Sequence, residues 1–246
     1  MPCPYENRKE PMLIGKKRIT ALAAPEPEQT EQLVELINST VQPNRPLADK
    51  DVFIRSMHLA SDRINSFGGR FDIDELQKMK ELAVDCPVLV GHNHQLLPIG
   101  RNFKAELIRK DDAAWLVTHF YWLAESEGAA DLAKNIDGGI YKGVSAAFLF
   151  EYPECSICEK DIRSCDHVPF RRYYNRRREA GAAFFWYRNV SKMLETSLVY
   201  RGAVPDTKIG APLQAEPDEN QEVFITKNEQ RIVPFHRKKR FQSIYR

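Results

Sequence analysis

No stretch of this 246-residue chain is apolar for long enough to cross a bilayer, and its opening residues Met1-Pro-Cys-Pro-Tyr-Glu-Asn-Arg8 lack the apolar core of a signal peptide. The expectation is a soluble protein with no membrane partner that stays where it is made. An excess of one charge is missing too. With a net charge of +2, the chain as a whole favours no particular partner. There is no internal repeat. Cysteine is scarce: of five, three crowd between positions 155 and 165. That distribution argues against a disulfide framework and for a metal site.

What is present is enough for a real core. Apolar residues make up 43% of the chain, whose length suits one large or two small domains. Two local basic runs stand out, Arg171-Arg-Tyr-Tyr-Asn-Arg-Arg-Arg178 and His236-Arg-Lys-Lys-Arg240. A solvated loop and a solvated tail explain them first, and weak nucleic-acid contact is the alternative.

Residues 1–50 read as a proline-punctuated leader with one amphipathic helix, in which Leu33, Val34, Leu36 and Ile37 share a face. Docking on its own domain is the default for such a helix. The texture changes at Asp51. Asp51 to Leu59 reads as a strand and Phe67-Gly-Gly-Arg70 as a turn. Asp72 with Glu75 forms a capping box, opening a helix that buries Leu76, Met79 and Leu82. Val88-Leu-Val90 is a buried strand. Ile99 to Ile108 and Ala114 to Trp122 pair across the polar turn at 110–112. A short helix from Gly128 to Asp137 buries Leu132 and Ile136 and stops at Gly138-Gly139. A strand follows in which Val144, Ala146, Phe148 and Phe150 take one face and Ser145, Ala147 and Leu149 the other. Phe184-Phe-Trp-Tyr187 and Leu194 to Tyr200 are the last strands. Residues 212–246 are a polar and basic tail. Many short strands with two or three helices predict an α+β domain over 51–211, most simply a barrel-like, mostly antiparallel sheet.

Two groups of residues carry chemistry. Cys155-x-x-Cys158 followed by Cys165-x-His167 sets four zinc-type ligands within thirteen residues. Four protein ligands make a closed site, so the expectation is a structural zinc ion that staples a loop. Cys3 and Cys86 are spare, and Cys86 is expected to pack in the core. The second group centres on Ser145, at a strand start among small residues. A serine nucleophile needs a base, and the base needs a third group to fix its tautomer. His58 and His119 lie within strands, His119 at a packed position, and His236 is in the tail. His92 and His94 remain, in a loop directly after a buried strand. Glu195, a carboxylate inside an apolar strand, requires a partner, and imidazole is a natural one.

Val88-Leu-Val-Gly-His92 with Leu97-Pro-Ile-Gly-Arg101, Gly143-Val-Ser-Ala-Ala-Phe148, and Leu194-Glu-Thr-Ser-Leu-Val-Tyr-Arg-Gly-Ala-Val-Pro205 occur in that order. In these stretches the chain, from about Val52 to Ile209, resembles the prohead (capsid maturation) serine proteases of tailed phages, relatives of the herpesvirus assemblins. The segment 154–182, with the Cys/His cluster and the arginine run, looks like an insertion carried by one branch. The resemblance implies a compact β-barrel flanked by a few helices, with Ser145 as nucleophile, His92 as base (His94 the alternative) and Glu195 as its orienting partner. Backbone amides near the serine or an arginine would form the oxyanion hole. It implies an endopeptidase that cuts capsid or scaffold proteins, and itself, within the immature capsid in the bacterial cytoplasm, needing no cofactor for catalysis. Residues 1–50 and 212–246 would be docking or self-cleaved ends. One departure is local: Phe170 stands where the pattern calls for glycine after the His-x-Pro segment.

Overall fold

A seven-stranded sheet organises the chain, and a computed structural model describes residues 27–110, 112–174 and 179–210 of it. Cys3, the run Asn175-Arg-Arg-Arg178, the start of the leader and the tail with His236 to Arg240 lie outside the described residues. The elements in order begin with α1 (Pro27–Val41), β1 (Val52–Ser61), β2 (Gly69–Arg70), α2 (Ile73–Leu82) and β3 (Pro87–Val90). A long hairpin of β4 (Gly100–Lys110) and β5 (Ala113–Leu123) follows, then α3 (Ala129–Asp137) and β6 (Gly143–Leu149). The last third holds β7 (Tyr152–Cys155), β8 (Arg172–Tyr174), β9 (Ala180–Ala182), β10 (Phe185–Arg188), β11 (Lys192–Val199) and β12 (Lys208–Gly210).

The main sheet runs β12-β1-β5-β4-β3-β11-β6, antiparallel except where β11 lies parallel to β3. The fold is therefore α+β and mostly sheet, as the strand pattern predicts. The barrel is not formed. The sheet curls until its ends approach, and Ile209 N–H donates to Lys142 C=O at 3.0 Å, but no ladder joins β12 to β6 among the described residues. The connection after β11 explains why: it lies against the start of β6, so closely that a Cβ on Gly202 would fall 2.4 Å from the Val144 carbonyl oxygen. Backbone seated there takes the place of a closing strand pair.

The two faces of the sheet are covered differently. On one, Leu76 and Met79 of α2 and Ala129, Ala133 and Ile136 of α3 join Val88, Phe120, Trp122, Val144 and Leu198 in the main core. On the other, Val34 and Ile37 of α1 pack on Val52, Ile54, Phe103 and Tyr121. The helical leader segment thus docks on its own domain, through the face that its periodicity marks. Val144, Ala146, Phe148 and Phe150 turn to the main core as expected. That sends Ser145 to the opposite face.

A second sheet, β2-β10-β7, carries the Cys/His loop and leans on β6 through aromatic rings. Tyr187 stands edge-on to Phe148 and Phe150, with centroids 5.1 and 4.9 Å away, and stacks on Phe71 at 4.6 Å. Such pairs contribute roughly 0.5–1.5 kcal/mol each beyond burial.

The α2 capping box is only half formed. Asp72 accepts from the Glu75 N–H at 2.8 Å, but the Glu75 side chain turns away from the cap. It accepts instead from the backbone N–H groups of Asn189 at 3.0 Å and Val190 at 2.8 Å, and from Lys78. Only 4% exposed, Glu75 thereby holds Asn189 in the left-handed region (φ 56°) and fixes the entry of the chain into β11. Glu75→Ala would leave both donors unpaired. A loss of about 3 kcal/mol or more is expected, read as the shift in urea unfolding free energy at neutral pH.

Candidate active site and metal centre

The strand β3 ends in a tight turn that presents His92. Gly91 and His92 both take left-handed backbone (φ 63° and 57°), and Asn93 N–H closes the turn on Val90 C=O at 3.2 Å. Glycine adopts this conformation freely, whereas histidine pays about 1 kcal/mol for it. Two bonds to the neighbouring strand hold it there: Gly91 N–H to Leu198 C=O at 2.8 Å, and His92 N–H to the Ser197 hydroxyl at 3.1 Å. The ring then lies with Nδ1 2.5 Å from Glu195 Oε1.

Glu195 sits in the middle of the β3-β11-β6 trio and is 1% exposed. A carboxylate that deep requires donors to offset its lost hydration. It has two, the His92 ring on Oε1 and the Ser197 hydroxyl on Oε2 at 2.6 Å. The carboxylate fixes the proton of His92 on Nδ1 and leaves Nε2 bare, on a side chain 37% exposed. A half-open imidazole with its acceptor nitrogen outward can take a proton from a neighbour.

Ser145 is one strand away. It pairs with Ser197 in the β6–β11 ladder, and Ala147 pairs with Glu195. Directly opposed side chains share a face with Cβ atoms about 4.5–5.5 Å apart. Ser145, Ser197, Glu195 and the His92 turn therefore occupy one face, opposite the main core. The Ser145 hydroxyl bonds no other described residue. The sequence-predicted trio is thus brought to one place, with a hydrogen bond between His92 and Glu195. His94 is exposed and has no hydrogen bond to a described residue, so of the two loop histidines it is His92 that meets Glu195. Ser197 was not among the expected site residues. Its only sequence signal is its position two residues after Glu195, which puts both on one face.

A rival histidine–carboxylate pair exists, but its histidine is sealed and only its carboxylate reaches solvent. His119 Nε2 meets Glu106 at 2.7 Å, but the histidine is 1% exposed. Burial holds His119 below the ordinary histidine value, with the Glu106 bond acting in the opposite sense. The ring is neutral and donates from Nε2, and no solvent or substrate reaches it. Glu106 is held down to about 2 by the hydrogen bond from His119, against burial and with help from Lys104. Cys86 is excluded as a nucleophile as well. Burial, with the Glu195 charge adding, pushes its thiol up to about 11, so it stays protonated in the core.

The second cluster is formed as expected. The ligand atoms of Cys155, Cys158, Cys165 and His167 all lie within 4.8 Å of one another. Tetrahedral zinc with bonds of about 2.3 Å sets its sulfurs about 3.8 Å apart, so a small contraction suffices. Two further observations suit a metal. Cys155 Sγ accepts from Ile157 N–H at 3.4 Å, and His167 Nδ1 is buried with no hydrogen-bond partner among the described residues. The set can hold a metal ion such as zinc. Around it Ile157, Ala183, Ile162 and Tyr173 make a small core of their own. Phe170, where glycine is expected, does take the left-handed backbone that glycine favours (φ 70°).

Two outcomes follow. As pH falls through about 6.5 stability should fall, because the unfolded chain takes up a proton that buried His119, held below that ordinary value, refuses. A second loss comes as pH drops from 4.5 toward 2 and Glu106 protonates. Urea midpoints across that range check this, and His119→Gln should flatten the first fall. For the cluster, purified chain should bind one zinc ion by metal analysis. Cys158→Ser should lose it, and a strong chelator should lower the melting temperature of the parent chain but not of the variant.

Comparison of the chain with protein-family models, with curated proteins and with solved structures returned no match.

Proposed function

We propose that this chain is a serine endopeptidase in which Ser145 is the nucleophile, His92 the general base and Glu195 the group that orients and charges the base. The observation that carries this reading is the bond of the half-exposed His92 ring to a buried carboxylate, with Ser145 in the adjacent row of the same face. In the reaction, the Ser145 Oγ proton passes to His92 Nε2 as Oγ bonds the scissile carbonyl carbon. The imidazolium, stabilised by Glu195, then protonates the leaving amine as the C–N bond breaks. Water repeats the sequence on the acyl-enzyme and restores the serine. Glu195 keeps its negative charge throughout, and the Nδ1–H bond keeps the ring in one orientation.

The resemblance to tailed-phage prohead proteases gives the substrate: scaffold or capsid protein inside an immature capsid, with self-cleavage of the chain's own ends. The assemblin-like fold and a zinc ion in the Cys/His cluster belong to the same reading. Zinc would be a loop staple with no part in the chemistry, since all four positions are filled by protein side chains. A second reading, a metal-stapled nucleic-acid-binding protein, is favoured by one observation: Arg171 and Arg172 are exposed beside that cluster.

Co-expression with the capsid-scaffold protein encoded alongside, followed by intact mass spectrometry, separates the two. Wild type should yield defined truncations. Ser145→Ala and His92→Ala should lose them, with rates down by about a thousandfold or more, while His94→Ala keeps them. Identical masses for wild type and Ser145→Ala, together with DNA binding that weakens steeply with salt, would give the protein to the second reading.

A further inference from the structure

We propose that Ser197 is a positioning residue of this site, holding both the carboxylate and the backbone of the base; the proposal rests on the endopeptidase reading above. Ser197 is fully buried at the centre of β11, where a serine has no packing advantage over alanine or valine. Its single hydroxyl proton is committed to Glu195 Oε2 at 2.6 Å. Its lone pair accepts the His92 backbone N–H at 3.1 Å. One oxygen atom therefore touches two of the three groups, and the ladder places it directly opposite the third, Ser145.

The consequences differ for the two bonds. On the carboxylate side, the hydroxyl occupies Oε2, so that Oε1 faces the His92 ring and the carboxylate plane is fixed. Without that donor the carboxylate can rotate, and His92 loses the fixed acceptor that selects its Nδ1–H tautomer. On the backbone side, the Ser197 oxygen holds a histidine in a left-handed conformation that it would otherwise leave. Ser197 touches no reacting atom in this arrangement. It acts through Glu195 and His92.

The test uses full-length chain with Ser197→Ala, Ser197→Thr and Ser197→Cys. Ser197→Ala is expected to lower kcat by about 10- to 100-fold, the effect of one hydrogen bond to a charged group, with KM nearly unchanged. Ser197→Thr keeps the hydroxyl and should restore most of the loss. Ser197→Cys, a weak donor of similar size, should resemble Ser197→Ala even if Ser197→Ala folds poorly. A readout that needs no catalysis accompanies these: the far-downfield Nδ1 proton of His92, observed by NMR in a Ser145→Ala background. It should be present with Ser197 or threonine there and broadened or lost with alanine. An unchanged kcat in Ser197→Ala, or a His92 proton indifferent to position 197, overturns the proposal while leaving the endopeptidase reading intact. Absence of any cleavage by wild type would sink the endopeptidase reading instead, and the proton signal would still decide what Ser197 holds.

Discussion

A carboxylate buried in the central strand of a three-strand group is the constraint on which the face bearing Ser145 and His92 depends. Stripped of water, Glu195 is tolerable only with donors on both oxygens. One donor comes from its own strand, two residues on, where the alternation of the strand returns a side chain to the same face. The other must come from outside, and β3 supplies it by running parallel to β11 and ending in a turn beside the carboxylate. The parallel pairing matters here. An antiparallel neighbour would bring the opposite end of its strand to this place, and the turn bearing His92 would lie far away.

Glu75 solves the same problem elsewhere and for a structural end. Buried like Glu195, it finds its donors in backbone amides and a lysine, with no histidine, and so it locks a turn. His119 and Glu106 form a third polar contact, in which the histidine is buried and the carboxylate is the partner that reaches solvent. What distinguishes the His92 pair from both is access: the carboxylate is sealed while the ring projects into the open. Chemical capacity in this molecule follows from which half of a polar pair reaches water.

Much of this was legible in the residues, and what was not had an identifiable cause. The period-2 pattern of 144–150 gave the face of Ser145, because alternation is a local property. The α1 stripe, the packed place of His119 and the metal spacing at 155–167 are local in the same sense, and each was found. The role of Ser197 was hidden. A strand serine looks like any small residue until the β11–β6 register and the His92 turn are known, and those partners lie 52 and 105 residues away. Glu75 misled for a like reason. Its spacing from Asp72 fits a capping box, but donors 114 and 115 residues away compete for its carboxylate and win. The strands β7, β8, β9 and β12 have three or four residues each, too few to show a period. Barrel closure depended on how one loop seats against Val144, which no strand pattern encodes.

The pairing of β7 with β10 has a consequence for how the Cys/His loop is attached. Cys155 and Phe185 are partners across that ladder, so the segment between them leaves and re-enters the fold at one point in space. A chain without it would keep both strands, joined by a tight turn, and would keep Tyr187 against Phe148 and Phe150. The Cys/His loop is thus an outgrowth at a hairpin tip, with a small core and a ligand set of its own. A change in the length of such an outgrowth would leave the strand bearing Ser145 where it is.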